Sequence, residues 1–407
     1  MQELPIRITT ISPIYSPLSL STGINHSSDT FFELLNQLTK NNAYSKRIHS
    51  EKKLQDYLSI AKDNRENRLM LWQDSENPDL KIHVFPNNVA VVEIALTLDS
   101  NLSTNELMKQ CRLTTNNLIS QCYSRFIQSL QESISKLQSQ RIKLSSEHID
   151  SPYIYWTTRA MLLTKEELQL SPKQILIKSW LKDTRRSADA DDIISGSKNY
   201  SLTWLNYVLI DPATEDEDPR LSTMVLAQYF YTAQENCNNQ LKQAIDGAYN
   251  SKKYSETNKK LASSRVLARL LQVEYHEHIN YLNPFKRNLL NEILSGWEFT
   301  SLNANGQRMI EVCSSRLQEE DNKRRERSTV MTDLLLVTLS FFTVFELSLY
   351  LTEFSREMMS RPALDYNDDK TSFFLQFIAN VDADIMFGFG FILTLLLVIL
   401  YKFIKAK

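Results

Sequence analysis

The chain has 407 residues, room for two or three domains, and a formal net charge of −2 with no basic cluster beyond the run at 323–327. That balance gives no case for a nucleic-acid partner, and seven glycines leave no material for a Gly-rich phosphate loop, which argues against a nucleotide-hydrolysing enzyme. The four cysteines (Cys111, Cys122, Cys237, Cys313) form no CxxC pair, so neither a zinc knuckle nor a disulfide framework is expected.

In chain order, residues 1–20 hold Glu3, Arg7 and three prolines without a continuous apolar core, so no leader peptide is predicted. Residues 7–11 alternate weakly, as a first strand would. Ser28 and Asp29 can cap a helix over 30–38, and 46–61 carries a second helical pattern. Strand-like runs follow at 69–72, 80–85 and 90–98, and Pro86-Asn87-Asn88 is a turn signal that joins the last two as an antiparallel hairpin. Ser103 and Thr104 with Glu106 open a long helix predicted to reach 144. Its apolar positions Leu107, Cys111, Leu118, Cys122, Phe126, Leu130, Ile134 and Leu137 keep to one face. Residues 153–163 and 202–210, rich in Tyr, Trp, Ile and Val, again predict strands. Residues 1–212 therefore form an α/β domain by expectation, a mixed sheet with helices on it.

The segment 211–219 contains two prolines and five acidic residues, the chemistry of a solvated linker; a cation site is the alternative. Beyond it, 213–328 is predicted all-helical: 221–248, then 256–294 interrupted at Asn283-Pro284 and ended by Ser295-Gly296. A rod follows over 303–351 with no helix breaker. Met309, Ile310, Cys313 and Leu317 give it one apolar face, and 319–328 is then charged all round. From Thr329 about 22 residues of Leu, Val, Phe and Thr follow, long enough to cross ~30 Å of hydrocarbon at ~1.5 Å per residue. A second apolar run covers 385–404. Lys323, Arg324, Arg325 and Arg327 flank the first span, and Lys402 and Lys405 flank the second. The connecting loop 352–384 has seven acidic and three basic residues. The positive-inside rule then places both termini in the cytoplasm and the loop outside, making 329–407 a two-helix transmembrane domain.

Glu274, His276, Glu277 and His278 resemble a metal cluster at first sight, but His276 points away from the face shared by Glu274 and His278, and no third ligand can be named. Catalytic patterns are likewise missing, so no enzyme activity is expected. In the first span, Thr329, Thr332, Asp333, Leu336, Ser340, Thr343 and Leu347 fall on one stripe at ~100° per residue. Polar groups are expensive against lipid, so the stripe is expected to line a pore, with Leu336 as an apolar constriction; the plainer account is that Thr and Ser bond back to their own helix while Asp333 reaches the headgroups. Glu346, Tyr350, Thr352 and Glu353 would stand at the pore mouth. Small residues in Phe387-Gly388-Phe389-Gly390-Phe391 permit close helix approach. Two helices cannot enclose water, so a pore requires several copies around an axis.

This layout resembles the CorA-type magnesium transporter superfamily: an N-terminal cytosolic α/β domain, helices leading into one very long stalk helix, and two C-terminal spans with a short basic tail. The local match runs from Ser314-Ser315-Arg316-Leu317 through Val330-Met331 into the first span, and again over 387–405. The resemblance implies a pentamer with the first span lining the pore. The family's Gly-Met-Asn signature, usually after Tyr, holds the hydrated ion just beyond that span. Here the stretch reads Tyr350-Leu351-Thr352-Glu353-Phe354, and the following loop is far longer than the family's, so magnesium selectivity does not carry over. Three functions remain open. One is an oligomeric CorA-like channel of the bacterial inner membrane, gated by its cytosolic domain, with no resident cofactor but a divalent cation as a candidate passenger. Another is an antiphage effector that senses a small-molecule, nucleotide-like signal and permeabilises the membrane. The third is a non-conducting membrane anchor for a partner protein.

Overall fold

The computed structural model describes residues 5–20, 70–85, 87–137, 142–182, 184, 186–213, 218–250, 254–360 and 373–405. The helices expected over 30–38 and 46–61 lie outside the described residues.

The sheet is built on strand β1 (Ile6–Tyr15), whose side chains are nearly all buried, as in a central strand covered on both faces. After the short β2 (Leu18–Leu20) come β3 (Met70–Gln73), β4 (Leu80–Val84) and β5 (Val89–Leu98). β4 and β5 form the expected antiparallel hairpin, with Val84 opposite Ala90. Its turn places Asn87 and Asn88 at φ 63° and 59°, a left-handed pair that asparagine tolerates better than most residues. β1 pairs antiparallel with β5 on one side and with β7 (Thr158–Leu163) on the other. β7 runs parallel to β9 (Asn206–Ile210), and β8 (Tyr200–Leu202) closes the edge antiparallel to β9. The strand order is β3-β4-β5-β1-β7-β9-β8, a mixed seven-stranded sheet.

Helix α1 (Thr104–Leu137) opens on a capping box, in which Ser103 and Glu106 bond reciprocally, and lays Leu107, Cys111, Cys122, Phe126 and Leu130 into the core. It ends earlier than its sequence pattern predicts. Residues 142–144 are strand β6, paired antiparallel with β2. The pairing with Leu18–Leu20 overrides a local pattern that would continue the helix. The strand expected over 153–163 begins only at Thr158, Ile154 contributing a single bridge to Ile14, and 202–210 divides into β8 and β9 around a turn. Between β7 and β8 lie three helices that the sequence pattern does not announce: α2 (Lys165–Leu168), α3 (Ser171–Leu181) and α4 (Asp189–Ile194). With α1 they cover one face of the sheet.

The opposite face is covered by α5 (Pro219–Asn250). Tyr229 stacks on Phe85 at 4.3 Å, and Gln228 donates to Thr158 Oγ1 and to the Tyr207 hydroxyl. Helices α6 (Tyr254–Tyr281) and α7 (Pro284–Gly296) pack on α5 through Phe230–Tyr275 and Tyr231–Trp297 ring contacts. The break between them falls at Asn283-Pro284, where the Asn283 side chain caps α7 through the Lys286 amide. Glu298, at φ 56°, turns the chain into α8 (Phe299–Ser360), one uninterrupted helix of 62 residues. The chain ends with α9 (Phe373–Asn380) and α10 (Ala383–Lys405).

Two compact units result, Met1–Ser314 and Ser315–Lys407, so α5–α7 belong with the sheet and the division does not fall in the acidic segment at 211–219. Nor is all of that segment solvated. The Asp218 carboxylate is buried and paired with Arg220 at 2.7 Å, while Arg220 also donates to the carbonyls of Asn199, Ile210 and Asp211. The pair staples the start of α5 to the ends of β8 and β9.

Candidate functional site

α8 carries the candidate site. Its apolar stretch is long enough to cross a membrane, and none of that window is buried within the chain. Just before it, Arg316 pairs with Glu319 at 2.9 Å and Glu320 at 3.2 Å, and Lys323 bonds Glu319 at 2.7 Å. These i,i+3 and i,i+4 contacts hold a solvated helix together, and the Lys323 hydrogen bond above all keeps the Glu319 carboxyl below its ordinary range. Residues 319–327 hold four acidic and four basic side chains, so this stretch carries no net charge.

Within the second unit, α8 packs against α10 along a seam. Phe341 meets Phe387 and Phe391 at 6.3 and 6.0 Å, and Phe345 meets Phe387 at 5.2 Å. A Cβ on Gly390 would lie 3.3 Å from both Ser348 Oγ and Val344 Cγ1, so this glycine lets the two backbones approach. Gly388 meets nothing within 4 Å; of the two glycines, only Gly390 faces the seam. The half-buried and buried positions Val337, Phe341, Val344, Ser348, Leu351, Ser355 and Met358 alternate spacings of four and three. That repeat is the signature of a helix seam, and it was available in the sequence beside the hydroxyl stripe.

The stripe lies elsewhere on the helix. Thr329, Thr332, Ser340 and Thr343 are exposed, as are Leu336 at 56% and Leu347 at 66%. At ~100° per residue its centre stands roughly 80° round the helix from the seam. Asp333 lies between the two and is half-buried. Of the expected mouth residues, Tyr350 sits at the stripe's edge, while Glu346 and Glu353 are exposed on the flank away from α10. Thr352 is different: it is buried on the seam side and donates to the Ser348 carbonyl at 2.8 Å, which takes it out of the stripe. The loop expected from 352 starts later as well, because α8 remains helical to Ser360 and α9 occupies part of the stretch between the two long helices.

The three threonines of the stripe bond back to their own helix. Thr329 donates to the Arg325 carbonyl at 2.9 Å, Thr332 to Ser328 at 3.0 Å and Thr343 to Leu339 at 2.9 Å. These bonds are the ones the plainer account of the stripe expects. A hydroxyl whose proton is committed to the backbone still presents oxygen lone pairs outward, which suits cations better than anions. The flanking Lys323, Arg324, Arg325 and Arg327 are exposed. Lys402 and Lys405 lie in the last turn of α10. Among the described residues the apolar run of α10 is Asp384–Leu396, shorter than a span.

The Glu274–His278 cluster does not assemble. The Tyr229 hydroxyl donates to Glu274, His278 is buried against the Phe230 ring, and no three His, Cys, Asp or Glu side chains among the described residues could hold a metal ion. No protein-family model matches the chain, and no curated protein or solved structure does either.

Proposed function

We propose that this chain is one subunit of an oligomeric, CorA-like channel of a bacterial inner membrane, with both termini cytoplasmic, α8 and α10 spanning the bilayer, and the sheet-bearing unit controlling the pore. The observation that carries this is the pair of separate faces on α8. One is already occupied by α10 of the same chain, and the other bears hydroxyls and Leu336 and is exposed among the described residues. A helix with a partnered outer face and a polar free face suits the inner wall of a ring, where copies shield one another's polar groups from lipid.

The channel is poorly selective among cations. A filter made of carbonyl groups requires irregular backbone, as in the family it resembles. Residues 350–354 are helical here, so their carbonyls are engaged in i→i−4 bonds and Gly-Met-Asn is not present. Such a pore would dissipate gradients if left open, which favours its use as an effector opened by a signal over a housekeeping magnesium transporter.

Reconstitution of the full chain into liposomes tests the proposal. Leu336→Asn hydrates the constriction and is expected to raise cation leak by about tenfold or more, and Ser340→Leu together with Thr343→Leu to suppress it; a dewetted barrier worth ~1.4 kcal/mol per decade sets that scale. A protein that stays monomeric and leaves both variants non-conducting would be the membrane anchor instead.

A further inference from the structure

The α1-facing layer of the sheet contains a buried cation without a counter-ion among the described residues. Arg159, on β7, is only 9% exposed, yet its guanidinium pairs with no carboxylate among the described residues. Its Nη1 reaches the Met108 carbonyl at 3.4 Å, a long contact, and its Nε finds no hydrogen-bond partner. The strand neighbour in register is Asn206, on β9. The Asn206 Nδ2 is committed to the Trp180 carbonyl at 3.2 Å and approaches Met108 Sδ, so the amide cannot be flipped without losing the first bond. This leaves Asn206 Oδ1 buried with no donor. An orphaned donor, an orphaned acceptor and an uncompensated charge thus share one place between α1, α3 and the sheet, where each is costly.

The surroundings add to the mismatch rather than relieve it. Arg112, exposed on α1, is a second positive charge acting on Arg159. Burial is the main influence holding the Arg159 guanidinium below its ordinary range. Cys111, the other ionisable neighbour, is fully buried; its thiol is pushed up to about 11, chiefly by burial, and supplies no negative charge at neutral pH.

We infer that Arg159 and Asn206 form a binding site for a ligand bearing an oxyanion, a phosphate or carboxylate group, together with a hydrogen-bond donor. The oxyanion takes Arg159 Nε, and the ligand's donor, a hydroxyl or the proton of a phosphate monoanion, satisfies Asn206 Oδ1. The inference stands on the sheet-bearing unit by itself and does not depend on α8 lining a pore. If both hold, this is where a small anionic signal enters.

Titration of the full detergent-solubilised chain with inorganic phosphate and, separately, acetate, each against chloride at matched ionic strength, tests the site by thermal shift and calorimetry. A saturable rise in melting temperature with phosphate alone identifies a phosphate site, and with acetate a carboxylate site. Arg159→Gln is expected to weaken that binding by about tenfold or more, the scale of one charge-assisted hydrogen bond. Where Arg159→Gln does not fold, Asn206→Asp decides, because it keeps the cation and places a carboxylate beside it: the melting temperature rises without ligand and anion binding is lost. No anion-specific shift in the native chain, or a shift retained in both variants, overturns the site and leaves a buried water bridging Arg159 Nε and Asn206 Oδ1.

Discussion

At the scale of single residues, the Asp218–Arg220 pair carries the most consequence for stability. Both side chains are buried, and Arg220 spends its remaining donors on the backbone carbonyls of Asn199, Ile210 and Asp211. Arg220→Ala removes the partner and leaves a buried carboxylate, a change that costs about 3–5 kcal/mol and should appear as a lower denaturation midpoint. The pair also sets a pH dependence. Burial alone would raise the Asp218 carboxyl, but hydrogen bonds from the Arg220 side chain, the Arg220 amide and the Ala213 amide outweigh it and hold the group below its ordinary 3.8. A carboxyl lowered on folding contributes stability in full above its unfolded value, and that contribution is lost as pH falls through the lower folded value. Stability of the native chain should therefore drop below about pH 4, and Asp218→Asn should flatten that acid limb; an unchanged limb would mean the pair does not govern it.

At the scale of elements, the first turns of α8 are held by a close approach to α5. Asn238 Nδ2 donates to the Leu302 carbonyl at 2.9 Å, Gln234 bonds Asn238, and a Cβ on Gly306 would fall 2.6 Å from atoms of both side chains. Alanine gains ~1 kcal/mol over glycine in a helix, but here it must displace two buried, bonded side chains at a cost of about 1–3 kcal/mol. Gly306→Ala is expected to destabilise the native chain, yet to stabilise one already carrying Gln234→Ala and Asn238→Ala. A double-mutant cycle read by chemical denaturation gives the sign. The same scale explains what could be read from sequence. Asn87-Asn88 announces a turn and Asn283-Pro284 a helix start because the responsible chemistry lies within a few residues. The hydroxyl stripe and the seam of α8 are legible for a related reason, since a helix's period writes its faces into the chain. β6 is not legible, because Ile142–Leu144 becomes a strand only by pairing with Leu18–Leu20 across the fold. Asp218 reads as a linker residue for the same cause: the carbonyls that position its arginine partner come from other strands. Arg159 escapes notice in a strand rich in apolar residues, where only burial reveals that its charge lacks a carboxylate partner among the described residues.

At the scale of the whole molecule, α8 presents an uncovered apolar window interrupted by a polar stripe, and a single copy resolves only half of that conflict. Lipid can cover the apolar positions but meets the hydroxyl oxygens at a cost, whereas the proposed ring of copies would turn the stripe toward water. The two environments differ in chemical reactivity, because a membrane-impermeant thiol reagent attacks only a hydrated thiolate. The native cysteines supply a quiet background: all four are buried, and burial pushes Cys111 to about 11 and Cys122 and Cys237 to about 12. Cysteines introduced singly at Thr332, Leu336, Ser340 and Thr343 should therefore react, or cross-link copies, while those at Leu335, Phe342 and Leu349 stay inert. With a period near 3.6 residues, reactivity plotted against position should rise and fall once per turn, in phase with the stripe. Reactivity in phase with Val337, Phe341 and Val344 would place water on the side where α10 packs, and α8 could not then be the inner wall of a channel.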